Sequence, residues 1–333
     1  MSVQFLQNTY AGEVLDDLLA YTVQGNDTYR QGLIYVKSGI QFKYVIPRIE
    51  LDEIIQDNIP TPVSPTDSKG QYSFTERYLE PQDFMVYLEF NPRDFEVYWK
   101  QWQPEGNLVF RELDPALQAK MLRQLMEKKN EHIGTAIWQS TKGGGAGGIT
   151  PPAGAPQMGT GTFKYYDGVM KRLIDNINAA VPGDTAIVAG TAPMTTGADV
   201  ESALYAMWHS TPARLRNRDI TYVMDWELWD LYDKYLTSQG FKYTDNTQIN
   251  TYKFKGKRVI PIVGVPPQTI VLGNFTTGRD SNLWMGVDYA NDENVVRIDQ
   301  LQNNSELYFF QMRMKMDVNI VLPGDIIVWT AYS

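Results

Sequence analysis

At 333 residues the chain is long enough for a sizeable core and, on length alone, for two or three domains. With 43% hydrophobic and 21% charged residues it is globular, which excludes a disordered chain, and no apolar run approaches the roughly 18–20 residues that cross a bilayer. A net charge of −9 excludes a dedicated polyanion binder, and the absence of cysteine excludes disulfides, thiolate metal sites and Cys nucleophiles.

The lack of cysteine is compatible with synthesis in a reducing cytosol. Met-Ser-Val-Gln-Phe-Leu-Gln has no basic stretch followed by an apolar one, so no signal peptide is expected. The 20 Tyr, 13 Phe and 8 Trp make 12% of the chain. Aromatics are enriched at protein–protein interfaces and also fill ordinary cores, and both readings stay open.

Residues 1–29 read as an arm with one short helical stretch at 13–21, where Val14, Leu15, Leu18 and Leu19 share a side and Gly25-Asn26-Asp27 ends it. From Leu33 the pattern becomes strand: Ile40, Phe42, Tyr44 and Ile46 alternate with Gln41, Lys43 and Val45. A polar, proline-punctuated segment follows at 59–70. Tyr72, Phe74 and Glu76 then alternate outward, and Phe84, Val86, Leu88 and Phe90 form another strand. Residues 33–90 are thus expected to be extended antiparallel strands joined by a mobile tip, longer than the usual five or six residues per strand, roughly.

The longest helix signal covers 114–139. Asp114 suits an N-cap and Pro115 the first helical position, and Leu117, Met121, Leu125, Ile133 and Ile137 recur at helical spacing. Such a helix is roughly 40 Å long and acts as a spine against a sheet; Gly134 is a weak point within it. Residues 142–162, rich in Gly and Pro, are expected to be a flexible surface excursion that does not pack. An α/β region follows: helices at 163–179 (Val169, Leu173 and Ile177 on one face), 198–209 and 225–239 (capped by Asp225, ended by Gly240), and strands at 220–224, 258–264, 269–272 and 283–287.

The last stretch is the most strongly patterned. Met312, Met314, Met316, Val318, Ile320 and Leu322 alternate with Arg313, Lys315, Asp317, Asn319 and Val321, which is a long strand with one buried face. Residues 294–301 form a second strand, with Gln302-Asn303-Asn304-Ser305 as the turn between them. Pro323-Gly324-Asp325 breaks the run before a short strand at 326–329. A two-stranded ribbon is marginal in water, so something must cover the methionine face, and the helix at 114–139 is the candidate.

No chemical constellation emerges. Lys142 precedes the glycine run and Pro151-Pro152 follows it, whereas a phosphate loop closes its glycines with Lys-Ser or Lys-Thr at a helix mouth. His132 and His209 each lack a second ligand at metal-binding spacing, and there is no Gly-x-Ser-x-Gly elbow. Solvated faces account for the carboxylate pairs Asp16/Asp17, Asp52/Glu53, Asp230/Asp233 and Asp292/Glu293. Trp226-Glu-Leu-Trp-Asp-Leu-Tyr-Asp233 reads as core or subunit packing. No catalytic, cofactor-binding or metal residue is nominated.

The order of parts, from arm through two-stranded loop, spine helix and α/β region to β-ribbon and closing strand, resembles the major capsid protein of tailed bacteriophages. That α+β fold is shared with herpesvirus capsids and encapsulins. The residues most similar are the spine helix and Phe310-Gln-Met-Arg-Met-Lys-Met-Asp-Val-Asn-Ile-Val-Leu-Pro-Gly-Asp-Ile-Ile-Val-Trp-Thr. The resemblance implies a non-enzymatic chain with an arm (1–29), an extended loop over a neighbouring subunit (30–82) and a peripheral domain (83–141 and 288–319). It also implies a flexible loop (142–162) and an axial domain (163–287 and 320–333).

It further implies pentamers and hexamers in an icosahedral virion shell, assembled in the host cytoplasm and matured around double-stranded DNA that is enclosed without sequence-specific binding. The partners are a portal and either a separate scaffolding protein or none, and the 142–162 segment is either a surface loop for a decoration protein or simply disordered; no cofactor and no membrane are implied. Lys69 sits where some relatives form a crosslink, and is read as a solvated loop lysine. The alternatives are an encapsulin, in which the helix at 13–21 would serve a cargo pocket, and a β-rich hydrolase.

Overall fold

In chain order the elements are β1 (Asn8–Tyr10), α1 (Asp27–Arg30), β2 (Tyr35–Lys37), β3 (Tyr44–Leu51), β4 (Tyr72–Leu79), β5 (Gln82–Phe90), α2 (Pro115–Gln139) and α3 (Val169–Ala179). Then come β6 (Ile187–Gly190), α4 (Gly197–Ser210), α5 (Ala213–Arg216), β7 (Thr221–Met224), α6 (Trp226–Ser238), β8 (Lys253–Phe254) and β9 (Lys257–Pro261). The chain finishes with β10 (Thr269–Gly273), β11 (Leu283–Val287), β12 (Val296–Gln300), β13 (Tyr308–Ile320) and β14 (Ile327–Thr330). This computed structural model describes residues 8–10, 27–51, 54–58, 69–91, 115–144, 149–153, 155–159, 164–181, 183–239, 253–288, 296–300 and 307–333. The expected helix at 13–21, most of the loop tip at 59–70 and the turn at 302–305 lie outside the described residues.

β13 is the middle of a six-stranded sheet ordered β1-β12-β13-β11-β2, with β5 on its other edge. β5 runs antiparallel to it from Phe90 opposite Tyr308 to Gln82 opposite Met316. β12 pairs with residues 308–311 and β11 with 316–320, so these two lie end to end along the opposite edge. The expected two-stranded ribbon is therefore flanked on both sides. The strand at 283–287, expected in the α/β region, pairs here.

The period of two holds: Phe310, Met312, Met314, Met316, Val318 and Ile320 are all buried in one core. Each such side chain contributes about 1.5–3 kcal/mol through the water-exposed area it loses. Met126, Ile133 and Ile137 of α2 join that core, so the spine helix covers the methionine face as the pattern predicts. α3 shares the task through Val169, Met170 and Leu173.

Gly134 in α2 has a packing reason. A Cβ built at Gly264, which has φ +105, would stand 2.7 Å from the Gly134 carbonyl oxygen, so loop and helix backbones touch there.

α3 starts at Val169 rather than at 163. The Gly168 backbone is extended, and its N–H bonds the Ser140 carbonyl at 2.8 Å, tying the preceding residues to the end of α2 instead of to a helical turn. The Gly/Pro segment also departs from expectation. Ile149 and Met158 are fully buried in the main core. Thr150 exchanges backbone hydrogen bonds with Ser333, and Tyr332 Oη donates to the Pro156 carbonyl at 3.2 Å. Two apolar anchors and paired backbone groups outweigh the flexibility of the composition. At α6, Asp225 takes the N-cap position but makes no capping hydrogen bond, and the helix ends at Ser238 with Gln239 as its C-cap.

The second sheet has the order β6-β14-β10-β7-β9-β8. Its strands alternate between two cores. Tyr222, Met224, Ile270, Leu272 and Ile327 face α4 and α6, while Val223, Val271 and Val328 face the main core shared with α2 and α3. A sheet covered on both sides explains why these short strands read as unbroken apolar runs.

Candidate assembly surface

β3 and β4 form a two-stranded sheet of their own, registered from Tyr44 opposite Leu79 to Leu51 opposite Tyr72. One face turns inward at the root, where Ile46 and Leu79 pack with Ile40 and Trp284. The other face is open: Val45 and Tyr78 are exposed side by side, Phe74 is 72% exposed and Tyr72 is 61% exposed. Ile55, beyond the end of β3, is 79% exposed. Phe42 was expected within a strand; it lies in a bend before β3 and is 84% exposed. In an isolated chain, an apolar strand pair of this kind is a template for unwanted association.

The root is held by two polar nodes. Asp317 of β13 accepts from the Glu80 backbone N–H at 2.8 Å and from the Arg172 guanidinium at 2.8 Å, and Asn319 Nδ2 donates to the Tyr78 carbonyl at 2.5 Å. Burial raises the Asp317 pKa even against the Arg172 charge. Tyr166, buried nearby, has its phenol pushed well up by burial first and by the Asp317 charge second. At the second node, Arg48 of β3 and Arg77 of β4 both bond Asp184, the latter at 2.5 Å. The hairpin is tied down at its root, and its open face sets Tyr72, Phe74, Val45 and Tyr78 around the exposed Glu76.

The residues singled out in the sequence fall in separate places. Lys69 donates to the Ile55 carbonyl at 2.7 Å. Arg313 is exposed on the outer face of the first sheet, whereas Lys315 lies between Asp83 and Asp288, each at 3.7 Å. His132 on α2 and His209 on α4 are both exposed and belong to different helices. Leu228, Trp229 and Tyr232 of the aromatic run are core, and Asp230 is exposed. The pairs Asp16/Asp17, Asp52/Glu53 and Asp292/Glu293 lie outside the described residues. Among the described residues no group of three or more His, Asp or Glu side chains is placed to hold a metal, and no helix is long and apolar enough to cross a membrane.

Sequence reasoning missed three features: the double-arginine node at Asp184, the burial of Asp317 and Asn319, and the buried Lys129. Only the polar intrusion into the second half of the alternating strand hinted at one of them.

No family model matches the sequence, and no curated protein matches it. Solved structures do. The satellite phage P4 procapsid is similar at a TM-score of 0.61 and 10% identity, over 98% of this chain and 93% of that one. The capsid of Myoviridae phage XM1 is similar at 0.52 and 9% identity, over 99% and 95%. The SrpI encapsulin from Synechococcus elongatus is similar at 0.51 and 10% identity, over 92% and 88%.

Proposed function

We propose that this chain, whose fold is that of tailed-bacteriophage capsids and encapsulins, is the major capsid protein of a tailed phage. In this reading it assembles as pentamers and hexamers into a shell around double-stranded DNA. The observation that carries it is the β3–β4 hairpin, whose rigid root and exposed Tyr72 and Phe74 suit permanent contact with a neighbouring copy. The likeness to the phage P4 procapsid, at 0.61, supports the virion reading.

The domain division follows as part of the proposal: arm, extended loop through 82, a peripheral domain around α2 and β13, and an axial domain around the second sheet, with β11 on the peripheral side. A scaffolding protein, a portal and a decoration protein are the proposed partners, and the chain has no catalytic role. The second reading is an encapsulin, favoured by the likeness to the S. elongatus shell at 0.51.

The test is expression of the full chain alone, followed by size exclusion and negative-stain microscopy. Rings, sheets or shells are expected, and a monodisperse monomer would overturn the proposal. Particles that enclose a co-purifying enzyme would transfer it to the encapsulin.

A further inference from the structure

The β8–β9 hairpin concentrates charge of one sign. Lys253, Lys255, Lys257 and Arg258 fall within residues 253–258, in a chain with 39 acids and 30 Lys and Arg. Lys253 stands directly opposite Arg258, an arrangement of like charges that costs stability. Lys255 and Gly256 make the turn with φ of 51 and 79, a left-handed pair in which Asn, Asp or Gly is favoured at the first position. A lysine there is strained. Among the described residues none of the four forms an ion pair with a carboxylate. Lys255 lies 4.9 Å above the ring of the exposed Tyr205, and Lys257 donates to the Arg218 carbonyl at 2.5 Å. Asp325 binds Arg214 and Arg218, and Asp219 makes no ion pair.

The complementary surface is on α6. Its first two turns expose Trp226, Glu227 and Asp230, and neither acid is in an ion pair. The helix dipole accounts for an acid in the first turn, at Glu227, but does not reach Asp230. Within one chain the two patches cannot meet. β7 runs parallel to β9, with Thr221 beside Arg258 and Met224 beside Pro261. The cations therefore sit at the amino end of β7, and α6 begins beyond its carboxyl end.

We propose that the basic hairpin of one copy docks on the Trp226-Glu227-Asp230 face of the next, head to tail, as the ionic contact of a closed ring. This rests on the shell reading and assigns one of its contacts. The occupant is a second copy rather than a nucleic acid, because four local cations on a chain of net charge −9 match a small acidic face with an aromatic on each side better than a continuous polyanion.

The experiment uses full-length chains in three forms: Lys255→Glu with Arg258→Glu, Glu227→Lys with Asp230→Lys, and all four together. Each double variant alone is expected to raise the concentration needed for ring or shell formation at least tenfold, while the unassembled chain still unfolds in one cooperative transition. An equimolar mixture of the two doubles restores complementarity only in alternation, so six-membered rings return and five-membered ones do not. The quadruple variant restores both.

Assembly of either double variant as wild type, or failure of both the mixture and the quadruple, overturns the contact while the shell reading stands. A wild-type chain that never assembles removes the shell reading and the contact together. Double variants that assemble normally while losing retardation of duplex DNA shown by the wild type would assign the hairpin to a polyanion instead.

Discussion

Lys129 is 6% exposed beneath β13, and among the described residues its ammonium has one partner, the Met312 sulfur at 3.1 Å. Burial lowers its pKa from 10.5 to about 7. Between those values the unfolded chain holds a proton that the folded chain has released, so stability rises with pH across the window and is level on either side. Lys129→Met is expected to raise the urea midpoint at neutral pH and to remove a slope approaching about 1.4 kcal/mol per pH unit, read from melts at several pH values through the window. The Asp317 node makes the opposite case, since there the buried charge has a partner. Arg172→Met leaves the carboxylate with only backbone donors, and chemical denaturation should show a loss of about 3 kcal/mol. Adding Asp317→Asn should recover much of it, because the uncompensated charge is gone.

At the scale of elements, α2 and α3 together cover the methionine face of β13 in one core. Met314→Asp places a carboxylate in that core and should abolish assembly by unseating the spine helix, while Arg313→Gln, on the exposed face, should at most weaken it; particle yield by microscopy reads both. Normal particles from Met314→Asp would refute the pairing. α2 was legible to within a residue of its start because Pro115, helical spacing and length all agree. α3 was not, because the residue before it, Gly168, is held by the end of α2, a contact between segments separated in sequence. The Gly/Pro segment misled for a related reason: composition records flexibility, but not the core waiting for Ile149 and Met158.

For the whole molecule the decisive surface is the hairpin. Phe74→Asp together with Tyr72→Asp should leave monomer stability within about 0.5 kcal/mol, since both side chains are already solvated, and should prevent assembly. Denaturation of the unassembled chain and light scattering of the assembled one separate the two effects. Loss of both together would mean that the aromatics stabilise the monomer. The candidate surface was half legible: outward alternation at Tyr72 and Phe74 is written in the sequence, whereas the nodes at Asp184 and Asp317 join residues far apart along the chain.

By itself the sequence determined the periodicities: a spine helix, a methionine-faced strand, and the order of parts from which the fold follows. Those are local consequences of side chains repeating at the pitch of a helix or the pleat of a strand. Only the tertiary structure decided that the strand is flanked on both edges, that half its polar face is buried, and which charges among the described residues stand outside ion pairs. Pairing, burial and charge neutralisation depend on groups brought together across hundreds of residues, and no local pattern encodes them.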